Sequence, residues 1–248
     1  MLDHRDYSWT AAQPGLSALK QHKAGLVLAS SKTAAELQRL RADIGFLDWP
    51  AIVENGAGIL WPDQDVQSDD ADYQRLRAIL ASLPKGFVGF GDMTAQDVAD
   101  KTGLSPDQAV LARRRCYSEP GLWTGTEDAL AGFLDAAQAQ GVHARRGGRF
   151  LTLSFGRTKA DAMADVVARL KPLKTVALGD APNDIEMIEA ADFGVIVANP
   201  AAPRLAPLCS EAQGRTLRSE LEGPSGWAAA ILTLLAQLKV TEGTPLHG

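Results

Sequence analysis

The chain has 248 residues, 46% of them hydrophobic and 22% charged, with a formal charge of −5; this is ordinary globular composition and enough length for a sizeable core, and the acidic balance argues against a nucleic-acid partner. Two cysteines, Cys116 and Cys209, and four histidines support neither a disulfide framework nor a thiolate or imidazole zinc site. No apolar run approaches the ~20 residues of a membrane span and "MLDHRDYSW" is no secretory signal, so no membrane partner and a cytoplasmic location are expected.

In chain order, "LSALKQHKAG" has helical spacing with a glycine stop, "LVLASS" is a short buried strand, and "KTAAELQRLRADIG" is helical again. "AIVENGAGIL" reads as a strand pair broken at Asn55-Gly56. "WPDQDVQSDDADY" carries five aspartates and no basic residue, which fits an exposed linker or a helix start. Beyond it, "FVGF" is a strand, and "TAQDVADKTG" and "SPDQAVLARR" are helices with capping boxes, Thr94 with Asp97 and Ser105 with Gln108. "CYSEPGLWT" is extended, "TEDALAGFLDAAQAQG" helical, and "VHARRGGRFLTLS" a hairpin around Gly147-Gly148. The parallel pattern resumes with the helix "TKADAMADVVARL", the strand "TVALGD", the helix "PNDIEMIEAA", the strand "FGVIVANP" and the closing helix "SGWAAAILTLLAQL". The expectation is an α/β fold: a doubly wound, mostly parallel-sheet core from residues 1–62 and 154–248, interrupted by an inserted α+β cap over 63–153.

Three places carry chemistry. Asp180 ends a buried strand, the usual ligand position in such sheets, and Asp180, Asn183 and Asp184 together offer hard oxygens that suit magnesium. The plainer alternative is that all three cap and charge-balance a helix start. Thr158 with Asp161 makes a capping box that puts Lys159 in a first helical turn, where a cation opposes the helix dipole by about 0.3–1 kcal/mol and an anion nearby would offset it; a solvated lysine with its stem on the surface is the plainer alternative. Ser30 and Ser31 sit between a strand and a helix, where hydroxyls and N–H groups can seat a phosphate; Ser31 as a simple N-cap is the competing account.

Taken in order, these residues resemble the haloacid dehalogenase-like phosphatase superfamily: "ASSK", Lys159 and "GDAPND" match its second, third and fourth motifs. The resemblance narrows to the mannosyl-3-phosphoglycerate phosphatase family through "LDHRDYSW", "SSKTAAEL", "VENGAGI", "GDMTAQDVADKTGLS", "RCYSEP", "GGRFLTL" and "EGPSGW", which span nearly the whole chain. It implies a magnesium-dependent release of phosphate from a small-molecule sugar phosphate through an aspartyl-phosphate. By motif, Asp180 is the Mg2+ ligand, Asp184 supports it through water, Asn183 orients the acids, Lys159 neutralises charge and Ser30 binds a phosphoryl oxygen. Ser31, Lys32 and Asn55 fall in family-like segments and are expected at the substrate.

The family's nucleophile motif, DxDGT, belongs directly ahead of Leu2–His4, and the sequence as read contains no such motif. Asp3 and Asp6 match positions after it, and "DQD" at Asp63–Asp65 follows no strand. The expectation is therefore a start upstream of Met1, with the first core strand, the nucleophile and the general acid absent and the chain inactive as written. The rival reading is a non-catalytic sugar-phosphate binding protein that has lost its nucleophile. In the cap, Arg115 and Arg149 are expected to grip the glycerate end, since arginine forks pair with carboxylates and phosphates, and Glu119 to accept sugar hydroxyls. Neither the sugar, mannosyl or glucosyl, nor the oligomeric state is legible.

Overall fold

A computed structural model describes residues 8–66, 70–147 and 149–242; Asp3, Asp6 and the hairpin's Gly148 lie outside the described residues. The first elements are α1 (Gln13–Gln21), β1 (Leu28–Ala29), α2 (Ala34–Ile44), β2 (Ala51–Val53) and β3 (Gly58–Leu60). Next come α3 (Ala71–Ser82), β4 (Phe87–Gly89), α4 (Ala95–Thr102), α5 (Pro106–Ala112), β5 (Ser118–Trp123), α6 (Glu127–Ala139), β6 (His143–Gly147) and β7 (Phe150–Ser154). The last third holds α7 (Lys159–Leu170), β8 (Val176–Gly179), α8 (Ile185–Ala190), β9 (Phe193–Ala198), α9 (Cys209–Ala212), β10 (Thr216–Glu222) and α10 (Gly223–Glu242).

These elements pack as two compact units, one from the residues up to Leu26 with those from Val166 onward, the other from Val27 to Asp165. In the first unit β8, β9 and β10 form a parallel sheet in the order β10-β9-β8, with Leu178 opposite Val195 and Leu217 also opposite Val195. Val195, Val197 and Leu234 make a core there, joined by Val176, Leu178 and Phe193. α1 and α10 meet at Gly15, where a Cβ would stand 2.8 Å from the Trp227 ring, so only glycine lets the two helices approach this closely.

In the second unit β1 runs parallel to β2 and β2 antiparallel to β3. A separate antiparallel sheet has the order β4-β5-β7-β6. Strand alternation gives its two faces different partners. Leu151 and Leu153 of β7 pack with Leu76 of α3 and Leu130, Phe133 and Ala137 of α6. Phe150 of the same strand joins Val98, Ala99 and Ala109 of α4 and α5 instead.

The strands of this sheet run from Phe87 to Ser154. Bonds also join this part of the chain to the residues ahead of it. Thr33 Oγ1 donates to the Leu111 carbonyl at 3.0 Å, the Glu54 carboxylate takes the Cys116 and Ser118 amides at 2.8 Å each, and Gly58 lies against the Tyr117 ring.

Glu54, Asn55 and Gly56 link β2 to β3 through three successive positive φ angles of 50°, 62° and 95°. At Gly56 a Cβ would fall 2.1 Å from the Thr158 carbonyl oxygen and 2.4 Å from the Lys159 nitrogen. Gly103, which ends α4 at φ 80°, has open space where its Cβ would point. Gly103→Ala should therefore cost about 1–2 kcal/mol for the left-handed backbone alone. Gly56→Ala should exceed that loss by about 1–3 kcal/mol, because the neighbouring backbone must also move; denaturant unfolding of the two variants measures the difference, and equal losses would contradict the packing described.

Candidate active site

The Val27–Asp165 unit holds one group of the motif residues. β1 delivers the chain to Ser30, whose N–H donates to the Ile52 carbonyl at 3.0 Å, one step past the β1–β2 ladder. Ser30 is half-buried and Ser31 exposed. The Lys32 amide donates to Ser30 Oγ at 3.3 Å, while Lys32 Nζ pairs with Glu36 at 3.2 Å. The N-cap of α2 is Thr33 and not Ser31: Thr33 Oγ1 accepts from the Glu36 amide, and Glu36 returns the bond to the Thr33 amide. Thr33 wins because it is the residue next to the first helical turn, and its buried hydroxyl also reaches α5. Ser31 is thereby left out of the capping role.

The Glu54–Gly56 turn faces this loop. The Asn55 amide donates to the Ser30 carbonyl at 2.8 Å and the Glu54 amide to the Lys32 carbonyl at 3.0 Å. On its other side Gly56 lies against the backbone of Thr158 and Lys159. The expected capping box of α7 is present, with the Thr158 amide on Asp161 at 2.9 Å and the Asp161 amide on Thr158 Oγ1 at 3.1 Å. Lys159 is the first residue of α7 and only 6% exposed. A cation in the first turn of a helix opposes the helix dipole. Ser30, Asn55 and the start of α7 are thus brought to one turn.

The other unit holds the second group. Asp180 follows the last residue of β8, at the C-terminal end of parallel strands. Asp184 is 5% exposed, and its Oδ2 accepts the Asp180 and Ala181 amides at 3.0 and 3.1 Å. Gly179 permits this turn, since a Cβ there would be 2.2 Å from that of Asp184. Asn199, just past β9, donates its amide to Asp180 Oδ2 at 3.0 Å and accepts the Ala201 amide at 3.1 Å. Asn183 is exposed. Among the described residues no three His, Cys, Asp or Glu side chains group into a metal cage. One oriented carboxylate at a strand end, with no soft donor described beside it, fits magnesium, which keeps most of its water and phosphate ligands, better than zinc.

The cap residues stand differently from expectation. Arg115 is 7% exposed, and both terminal nitrogens donate to the Ser31 carbonyl at 3.2 Å, with further bonds to Ser118 Oγ at 3.0 Å and the Ser118 carbonyl at 3.4 Å. Glu119 is fully buried at 0% exposure, accepting from the Tyr73 hydroxyl at 2.5 Å and the Gly91 amide at 2.9 Å, with Arg77 at 3.5 Å. Burial raises the Glu119 carboxyl above its ordinary range, against the downward pull of the Tyr73 bond, the Gly91 amide and the Arg77 charge. Burial also raises the Tyr73 phenol, followed by the charge of Glu119 and the bond to it. Both side chains expected at the substrate, Arg115 and Glu119, are held by protein groups. Arg149 is exposed, with its guanidinium 5.4 Å from the Phe150 ring.

Sequence reasoning passed over Glu54, Ser118, Tyr73 and Asn199. For Glu54 a signal existed: it precedes Asn-Gly, the pair that marks a left-handed turn. For the others the partners are distant in sequence and leave no local pattern.

Residues 153–211 match a family model described as haloacid dehalogenase-like hydrolase. A curated glucosyl-3-phosphoglycerate/mannosyl-3-phosphoglycerate phosphatase of Methanococcoides burtonii is 31% identical, over 96% of this chain and 94% of its own. One of the same description from Persephonella marina is 29% identical, over 96% and 95%. Among solved structures, a haloacid dehalogenase-like hydrolase of Bacteroides thetaiotaomicron aligns with a TM-score of 0.64 at 17% identity, covering 94% of this chain and 95% of that one. The sucrose-phosphatase of Synechocystis sp. PCC6803, in complex with sucrose and phosphate, aligns with a TM-score of 0.58 at 17% identity over 93% and 91%. These likenesses, with the parallel strands and helices described above, make the fold a haloacid dehalogenase-like α/β fold. Among the described residues no helix is long and apolar enough to cross a membrane.

Two variants test the local geometry. Thr33→Ala should cost about 1–2 kcal/mol, from a lost cap and a lost bond to the Leu111 carbonyl, which keeps the Arg114 amide. Ser31→Ala should stay within about 0.5 kcal/mol of the parent. The reverse order in chemical denaturation would restore Ser31 as the cap.

Tyr73→Phe should destabilise by about 1–3 kcal/mol, since it strips a donor from a buried carboxylate, and more so at neutral than at acid pH. The sign follows from the raised Glu119: a proton on it is favoured by folding, so its contribution is present below the unfolded carboxyl range and is lost as pH rises through the folded one. Removing the phenol raises Glu119 further and widens that loss. A penalty independent of pH would contradict the assignment.

Proposed function

Because the chain belongs to the family of glucosyl-3-phosphoglycerate/mannosyl-3-phosphoglycerate phosphatases, we propose that its site is built to release phosphate from a glycosyl-3-phosphoglycerate, with Mg2+ as cofactor. The observation that carries the reading is the Glu54–Gly56 turn, which joins the backbone of the Ser30 loop to the backbone at the start of α7; these are the two segments whose hydroxyl and ammonium are proposed to meet a phosphate dianion.

In this reading a carboxylate oxygen attacks phosphorus, the bond to the glycerate oxygen breaks, and an acid gives its proton to that leaving alkoxide. Water then attacks the aspartyl-phosphate, inorganic phosphate leaves, and the carboxylate is regenerated. Ser30 Oγ donates to a phosphoryl oxygen, and the Lys159 ammonium offsets the charge of nucleophile and phosphate. Asp180 would hold the magnesium, turned by Asn199, with Asn183 beside it and Asp184 shaping the turn from behind; the ion, when bound, offsets negative charge on the transferring phosphoryl group. Ser31, Lys32 and Asn55 border the phosphate, and Arg149 is the cap arginine proposed to meet the glycerate carboxylate. The attacking and proton-donating aspartates of a DxDGT motif are not among the 248 residues.

The test uses a version carrying the family's DxDGT segment ahead of Met1. It should release phosphate from a glycosyl-3-phosphoglycerate with magnesium. Asp180→Asn and Lys159→Ala should each lose at least about a hundredfold in turnover, as a metal or a preorganised charge contributes several kcal/mol to such a transition state. Near-normal turnover in either would remove that residue from the mechanism. Tight binding of the sugar phosphate without any turnover would favour the non-catalytic binding protein. Arg149→Ala should weaken reaction of the phosphoglycerate much more than that of a small phosphomonoester without a carboxylate; equal losses would return Arg149 to the surface.

A further inference from the structure

The loop that carries Ser30 has its backbone carbonyls taken one after another. The Ser30 carbonyl accepts from the Asn55 amide at 2.8 Å, and the Lys32 carbonyl from the Glu54 amide at 3.0 Å. Between them the Ser31 carbonyl accepts both arms of the Arg115 guanidinium at 3.2 Å. Three consecutive partial negative charges are thus committed to donors inside the protein.

The Ser31–Lys32 peptide is a rigid plane, so a guanidinium that fixes its carbonyl also fixes its N–H. That N–H, on Lys32, donates to Ser30 Oγ at 3.3 Å. A hydroxyl has one proton and two lone pairs. With one lone pair engaged by Lys32, the Ser30 proton is free to turn toward an incoming acceptor.

Arg115 is itself fixed. Its Nε lies 3.4 Å from Glu54 Oε2, and its guanidinium bonds Ser118 Oγ at 3.0 Å. Glu54, 2% exposed, accepts three successive amides, Cys116 at 2.8 Å, Tyr117 at 3.2 Å and Ser118 at 2.8 Å, and the Ser118 hydroxyl at 2.7 Å. A run of amides of this kind is an anion cradle, and here the protein's own carboxylate fills it. The cradle holds Glu54, Glu54 faces Arg115, and Arg115 holds the peptide that orients Ser30.

We infer that Glu54 and Arg115 are positioning residues that set the Ser30 hydroxyl as a phosphate donor, acting through the Ser31–Lys32 peptide and not by touching substrate. This rests on the reading of Ser30 as a phosphate contact. A buried ion pair is a poor source of stability by itself, whereas fixing a donor needs the directional fork that arginine provides and lysine lacks.

The experiment is an amide NMR titration of the 248-residue chain with inorganic phosphate. In the parent, the Ser30, Ser31 and Lys32 amides should shift with saturation. In Arg115→Lys and Glu54→Gln, each showing a dispersed spectrum, the phosphate dissociation constant should rise at least about fivefold, the scale of one ordinary hydrogen bond weakened, with the Lys32 amide displaced before any phosphate is added. Should either variant fail to fold, Ser118→Ala, which trims only the hydroxyl shared by Glu54 and Arg115, takes its place with a rise of at least about twofold. Folded variants that bind phosphate as tightly as the parent overturn the positioning role and leave the Ser30 reading standing. A parent whose Ser30–Lys32 amides ignore phosphate overturns the Ser30 reading, and the positioning role with it.

Discussion

The Val27–Asp165 unit depends on a carboxylate that has been buried and fully answered. Placing Glu54 at a positive φ and 2% exposure is costly on two counts, backbone strain and desolvation. Three amides, a hydroxyl and a guanidinium offset that cost. Once Glu54 is seated, its neighbours have little freedom. Its own amide and that of Asn55 must meet the Ser30–Lys32 loop, and Gly56 must lie against the start of α7. Removing the acid while leaving Arg115 in place would leave a buried cation facing two carbonyls without its counter-charge.

Asp184 does the equivalent work in the other unit. It is an interior acid whose job is to take the amides of the turn that presents Asp180, while Asn199 sets the angle of the Asp180 carboxylate. In both units the polar residue proposed to meet the substrate or the ion is half-buried, and a fully buried carboxylate stands behind it. Preorganisation of this sort is what an electrostatic mechanism requires, because the donors must already point correctly when charge develops.

Elements whose causes are local were legible from the residues. The boxes at Thr94 with Asp97, Ser105 with Gln108 and Thr158 with Asp161 are all present, because a cap is decided within four residues. The Asn55-Gly56 break between β2 and β3 is present for the same reason. The strand end at Asp180 and the turn that follows it were legible from an apolar strand running into three polar residues. What escaped depends on partners far away in sequence. Arg115 and Glu119 look like ligand residues because arginine and glutamate are seldom buried, and only the fold reveals that Ser31 and Tyr73 occupy them. β10 reads as polar sequence because most of its residues are exposed or half-exposed, so it lacks an apolar alternation to betray it. α3 begins at Ala71, inside the aspartate-rich segment read as an exposed linker or a helix start.

Ser30 and Lys159 are proposed to serve one phosphoryl group. The most direct measurement is a crystal structure of the protein soaked with inorganic phosphate and magnesium. The expected result is a phosphate whose oxygens lie within hydrogen-bond distance of both Ser30 Oγ and Lys159 Nζ, with the three carbonyls of Ser30, Ser31 and Lys32 still on their Asn55, Arg115 and Glu54 partners. A phosphate bound well elsewhere, with Ser30 and Lys159 untouched, would contradict it.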